Sequence, residues 1–359
     1  MQRKAVALLV IFAVLLIGVA AIQAQEDAAA TVSLGGNDDL GAFLVGPEGM
    51  TLYTFANDEA GVSNCYDQCA TNWPPLTVDE DEVASLAQGI PGWVGVIERT
   101  DGTRQVTYNG SPLYYWANDA APGDATGHLV GDVWFAAMQP TVGVGGNGEL
   151  GSFLVGPNGM TLYTFANDEE GVSNCYDQCA TNWPPLTVES ADALMTQPGI
   201  PGEFSTVERT DGTMQVAYNG MPLYFWANDA EVGDSTGHLV GDVWFAAMPP
   251  TLSVFTSEEH GDILAGPNGM TVYVFANDQP GVSNCYDRCA VMWPPVYVGS
   301  AAEATVGEGV SGEVGATERT DGTMQITYNG APLYYWVRDV LPGDTTGHNV
   351  GSVWFVVEP

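Results

Sequence analysis

Six cysteines and three histidines recur at fixed positions along the chain, and they have the widest chemical reach of its residues. The cysteines stand in pairs, Cys65 and Cys69, Cys175 and Cys179, Cys285 and Cys289, and each pair is followed by a histidine, His128, His238 or His348. Two thiolates and an imidazole would suit zinc or copper, or would flank a haem or another redox centre. The spacing argues against each of these. Cys-x-x-x-Cys lacks the adjacent histidine of a haem-attachment site and is one residue longer than the redox Cys-x-x-Cys. A blue-copper site needs two histidines and one cysteine, the reverse of what is present. An even cysteine count favours local disulfides, Cys65–Cys69, Cys175–Cys179 and Cys285–Cys289, if the chain is exported, as its first 24 residues suggest. In a helical turn, residues i and i+4 bring their Cα atoms to about 6 Å, within disulfide range. The segment "SNCYDQCATNWPP" (Ser63–Pro75) therefore reads as a stapled turn. Asn64 is expected as its N-cap and Asp67 at the third helical position, with an end where Trp73 precedes Pro74.

A second set of residues follows the pattern Tyr-x-aromatic-x-x-Asp, six times over. The copies are Tyr53, Phe55, Asp58; Tyr114, Trp116, Asp119; Tyr163, Phe165, Asp168; Tyr224, Trp226, Asp229; Tyr273, Phe275, Asp278; and Tyr334, Trp336, Asp339. In a strand the tyrosine and the second aromatic share one face. The aspartate then falls past the strand end, where its carboxylate can accept backbone N–H groups in a turn. The alternative makes these aspartates calcium ligands with Asn57 and Asp124, yet the spacing matches no EF-hand loop and Ca²⁺ needs many converging oxygens. Trp73, Tyr114, Tyr115, Trp116 and Trp134 are many rings for a small domain. They either fill its core or form an exposed platform that stacks on sugars or a peptide. Ser63, His128 and an aspartate could be named as a triad, but Val62 and Asn64 around Ser63 do not make a nucleophile elbow. No enzyme and no cofactor are expected.

The elements that position these residues come in repeats of 110 residues, the spacing of Cys65, Cys175 and Cys285. Phe43–Val78 and Phe153–Val188 differ only at Glu48/Asn158 and Ala60/Glu170, whereas the third copy has drifted, with Arg288 for Gln68, Met292 for Asn72 and Arg338 for Asn118. Such a period is that of a whole domain. We expect three domains, 33–140, 143–250 and 253–359. The stretches Thr141–Gly151 and Pro249–Asp262 are read as linkers between them, the first flexible through its glycines; the second holds His260, outside the repeat pattern. Asp-Gly and Asn-Gly flank a strand expected over Thr103–Tyr108. Phe43–Val45 and Met50–Ala56 suggest a hairpin around "GPEG", and Val133–Met138 a closing strand. The expected fold is all-β, mainly antiparallel hairpins, with one short helical turn per domain. "GMTLYTFAND" (Gly49–Asp58) and "GSPLYYWAND" (Gly110–Asp119) echo each other, so each domain reads as two related hairpin units.

The six motifs, with "YNGSPLYYW" and "PGDATGHLVGDVWF", resemble those of the bacterial secreted-repeat lipoproteins, over essentially all of Leu40–Pro359. The resemblance implies an extracytoplasmic β-rich repeat, with no biochemical function attached. Two departures stand out: the chain has no lipid-bearing cysteine near its start, and it carries histidine in "TGH".

Arg3 and Lys4, the apolar run Ala5–Ala21 and the small-residue site Ile22–Ala24 read as a signal peptide over residues 1–24, with an uncleaved anchor as the alternative. No later stretch is long and apolar enough to span a bilayer. The chain carries 8 Lys+Arg against 44 Asp+Glu, a net charge of −36; without Arg3 and Lys4, 6 against 44 gives −38. Such a surface disfavours nucleic acid and anionic membrane as partners. The expectation is an exported, acidic protein that binds a protein or glycan, or builds structure, at the cell envelope or outside it. Three linked sites would gain avidity. The rival is a metal or electron carrier with one Cys/Cys/His site per domain.

Overall fold

The computed structural model describes residues 30–80, 82–299 and 304–359, so the signal-peptide reading falls outside the described residues. Each 110-residue repeat is built from short antiparallel strands and one turn of helix. In the first, β1 (Ser33–Asn37) pairs with β2 (Gly41–Val45), β4 (Val94–Glu98) with β5 (Arg104–Tyr108), and β5 with β6 (Ser111–Pro112). Between them, β3 (Tyr53–Phe55) pairs with β7 (Trp134–Ala136), matching Tyr53 to Ala136 and Phe55 to Trp134. The helix α1 covers Gln68–Asn72. The strands expected at Thr103–Tyr108 and Val133–Met138 exist with trimmed ends.

Three expectations change. Phe43–Val45 does not pair mainly with the strand after "GPEG". It pairs with β1, and only Val45↔Thr51 links it across the turn as an isolated bridge. Nor is Thr141–Gly151 a flexible linker. Its residues Gly143–Asn147 form β8, which pairs with β9 (Gly151–Val155) as the opening hairpin of the second domain. Ser253–Ser257, inside the stretch read as the second linker, likewise pairs with Gly261–Ala265. Finally, Asn64 is not a helix cap. The chain turns at Asp67, which has φ 52° and ψ −119°, and the helix starts only after it.

The period-2 alternation of these strands splits each domain into two cores. Leu44, Leu52 and Leu113 join Leu76 and Val106 in an aliphatic cluster. Their neighbours Phe43, Tyr53 and Tyr114 point the other way, into an aromatic cluster with Cys65, Trp73 and Trp134. The two hairpin units of a domain are tied by mutual exchange. Tyr53 N donates to Tyr114 O (2.8 Å) and Tyr114 N to Tyr53 O (3.0 Å). Likewise Leu44 N donates to Ala137 O in the second unit, while Val106 N donates to Leu76 O in the first, both at 2.8 Å.

Successive domains touch through glycines, Gly159 lying against the backbone of Gly89 and Gly269 against that of Gly199. The first domain also meets the third. Trp93 Nε1 donates to Val340 O (3.0 Å), and Leu341 packs beside Gly61 and Gly110.

Candidate functional site

The repeated aromatic residues converge on a four-ring stack in each domain. In the first, Phe55 lies on Trp134 (4.2 Å between ring centres, 13° between planes), Trp134 on Trp73 (3.9 Å, 4°) and Trp73 on Trp116 (4.0 Å, 28°). Tyr53 meets Trp73 edge-on at 5.3 Å and Tyr114 meets Trp134 at 5.2 Å. The tryptophan pair recurs as Trp183–Trp244 (3.8 Å) and Trp293–Trp354 (3.9 Å). Trp73, Tyr114 and Trp134 are buried, and Tyr115 and Trp116 are half-buried. An exposed five-ring platform is therefore not what these residues build, because the domain uses their area as core.

The motif aspartates complete the stack from outside, again by exchange between units. Tyr53 Oη donates to Asp119 Oδ2 (2.6 Å), and Tyr114 Oη donates to Asp58 Oδ2 (2.7 Å). The other oxygen of each carboxylate ties its own loop. Asp58 Oδ1 accepts Asn64 N (2.7 Å), and Asp119 Oδ1 accepts the N–H (3.0 Å) and hydroxyl (2.6 Å) of Thr126. The same bonds form in Tyr163–Asp229, Tyr224–Asp168, Tyr273–Asp339 and Tyr334–Asp278. Burial, helped by the aspartate partners, pushes the hydroxyls of Tyr53 and Tyr114 well above the ordinary phenol range. Burial also raises the carboxyls of Asp58, Asp168 and Asp278, against the pull of the tyrosine and backbone donors. The expected backbone contact beyond the strand is present, and the bond to the other unit's tyrosine is an addition to it.

Sequence reasoning missed the buried arginine of each domain. Arg99 Nη1 donates to Ser63 Oγ (2.5 Å) and Gln105 Oε1 (2.6 Å), and its Nη2 donates to Cys65 O (2.6 Å). The guanidinium lies 4.4 Å over the Tyr66 ring, and Nε faces Asp101 Oδ2 at 3.5 Å. Because Ser63 Oγ accepts a hydrogen bond from Arg99, its own hydroxyl hydrogen is free for Tyr114 Oη, 2.8 Å away. Tyr114 in turn donates to Asp58, so a one-way relay runs Arg99, Ser63, Tyr114, Asp58. Ser63 is thus a link in an internal chain. The signal was available: "ERTDGT" stands unchanged at Glu98, Glu208 and Glu318, with Arg99, Arg209 and Arg319 as cations held in all three copies of an acidic chain.

The cysteines form the disulfides Cys65–Cys69, Cys175–Cys179 and Cys285–Cys289, each with Cα atoms 5.2 Å apart. The sulfurs are consumed in pairing and offer no thiolate. The route to that distance differs from the expected one, since Cys65 precedes the turn at Asp67 and only Cys69 lies in the helix. His128 Nδ1 accepts Ala136 N (3.2 Å) and its ring meets Phe135 edge-on; His238 and His348 repeat this with Ala246 and Val356. His260, outside the repeat, lies beside His348 with ring centres 4.3 Å apart. Among the described residues no group of three or more His, Cys, Asp or Glu is disposed to hold a metal ion. No described helix is long and apolar enough to cross a membrane.

A family model described as a secreted repeat of unknown function, Lipoprotein_15, matches residues 36–77, 95–138, 146–187, 205–248, 254–297 and 315–358. These six matches are the six hairpin units, two to a domain. No curated protein and no solved structure matches the chain.

Proposed function

The chain belongs to the secreted repeats of unknown function, and from that premise we propose that it acts outside the cytoplasm as a non-catalytic binding protein of the cell envelope or its surroundings. One observation carries the reading. The residues with chemical reach are committed to one another: each motif aspartate accepts a tyrosine hydrogen bond, each cysteine pair is closed, and each domain's arginine is enclosed by its partners. That use of reactive groups suits a rigid scaffold whose contacts are made by its outer faces and the seams between domains. The acidic charge directs the choice of partner away from polyanions.

The test is co-sedimentation of the purified full chain with isolated envelope and extracellular polysaccharide fractions, with product analysis of the same mixtures. Retention without turnover is the expected result. Failure to associate with any fraction, or release of a cleaved product, would overturn the reading.

A further inference from the structure

A cavity of about 530 Å³ lies where all three domains meet, walled by Gly92 of the first, the glycine-rich hairpin of the second (Val144–Gly148, Gly151 and Ser152) and one face of the third. Its volume is that of a small-molecule site, and domain seams are where such sites concentrate. None of its lining side chains carries a charge, although the chain holds 44 acidic and 8 basic residues.

Several positions on this wall differ between the copies. Asn268 and Met324 line the cavity where the first domain has Glu48 and Arg104. Tyr297 stands where the other domains have Thr77 and Thr187, and it is 47% exposed, a large ring left without a cover. Next to Val298, Gly299 replaces Asp79 and Glu189. A Cβ on Gly299 would lie 1.8 Å from Glu149 O, so an acidic side chain there would keep the hairpin of the second domain from closing the cavity. From the second domain comes Gln197, where the others have Ala87 and Gly307. Gln197 is 3% exposed, and its Oε1 accepts Val144 N at 2.9 Å. Among the described residues its NH₂ group has no hydrogen-bond partner, and Gln197 is one of the residues that line the cavity.

We propose that this junction binds a short, uncharged saccharide. Tyr297 offers a flat face to the C–H side of a sugar ring, while the Gln197 amide and Asn268 offer hydrogen bonds to its hydroxyls. The uncharged lining disfavours an ionic ligand, which would forfeit its hydration without a counter-charge. The assignment rests on reading the protein as an extracytoplasmic binder.

Calorimetric titration of the full chain tests it, with cellobiose and N,N′-diacetylchitobiose as probes, digalacturonic acid as the charged control and Nile red as the apolar one. The variants are Tyr297→Thr and Gln197→Ala, each taking the residue that another domain carries at that place, with circular dichroism to confirm folding. A neutral disaccharide should bind, and each variant should weaken it about tenfold or more. No binding of either neutral sugar, binding by both variants as tight as that of the parent chain, or preference for digalacturonic acid or Nile red would overturn the proposal. If the wild-type chain associates with envelope but binds neither neutral sugar, this site falls and the broader reading stands. If the wild-type chain fails to associate, the broader reading falls instead.

Discussion

Asp339 shows how one residue of a repeated motif can differ in chemistry from its copies. Its Oδ2 accepts Tyr273 Oη (2.7 Å), and its Oδ1 accepts the N–H (3.1 Å) and hydroxyl (2.6 Å) of Thr346. Unlike Asp119 and Asp229 it is buried, and the next two residues, Val340 and Leu341, pack against the first domain. Burial pushes its carboxyl up to about 7, with the nearby Asp344 charge acting the same way and the donors of Thr346 and Tyr273 opposing it. A raised carboxyl favours the neutral form in the fold. Its stabilising contribution is complete below the unfolded value of 3.8 and is lost as pH rises through about 7. Hydrogen exchange over Trp336–Val356 should therefore quicken, at matched chemical exchange rates, across that window. Asp339→Asn should flatten the trend, and an unchanged pH profile in the variant would refute the assignment. The tyrosine and aspartate positions were legible in the sequence as a pattern. Their exchange between units was not, because it depends on which strand pairs with which.

At the scale of elements, glycine was the residue most easily misread. "GVGGN" (Gly143–Asn147) has the composition of a flexible linker, yet it is a strand. A Cβ on Gly145 would meet Val155 at 2.6 Å, and one on Gly146 would meet Gly151 O at 2.6 Å. The glycines are there for close approach, a requirement set by the partner strand and invisible in composition. The disulfide pairing, by contrast, followed from count, spacing and the expectation of export. Its strength can be placed too. A five-residue loop constrains the unfolded chain little, so opening Cys65–Cys69 by Cys65→Ser with Cys69→Ser should lower stability by about 2 kcal/mol. Arg99 would still hold Cys65 O and Ser63 in place. Urea unfolding should show a shifted midpoint with an unchanged slope. Loss of the cooperative transition would mean that the staple organises the domain rather than bracing it.

At the scale of the molecule, the chain's few cations reveal how its ends are brought together. Of 8 Lys+Arg, Arg3 and Lys4 lie in the signal-like segment, and Arg99, Arg209 and Arg319 are buried. The remaining three, Arg104, Arg288 and Arg338, all line one cleft between the first and third domains, together with Glu80, Glu82 and Glu98. Arg288 and Arg338 are drifted positions of the third copy, held by glutamine and asparagine in the others. The drift reads as fitting one domain to another, a purpose that a single repeat cannot display. None of these arginine and glutamate side chains comes within ion-pair distance of another. The attraction across the cleft therefore acts through solvent and is open to screening, with the Debye length falling to about 3 Å at 1 M salt. Direct contacts across the seam include Trp93 to Val340, Val340 beside Gly95, and Leu341 against Gly61 and Gly110. Small-angle scattering should then show a compact particle at low ionic strength and a larger radius of gyration in molar salt. Arg288→Gln with Arg338→Asn should give the expanded form already at low salt, without loss of secondary structure by circular dichroism. The expansion should also expose Asp339 and relax its raised carboxyl, coupling salt to the pH profile of the third domain. Identical scattering from the variant and the parent at low salt would show that the apolar seam alone holds the first and third domains together.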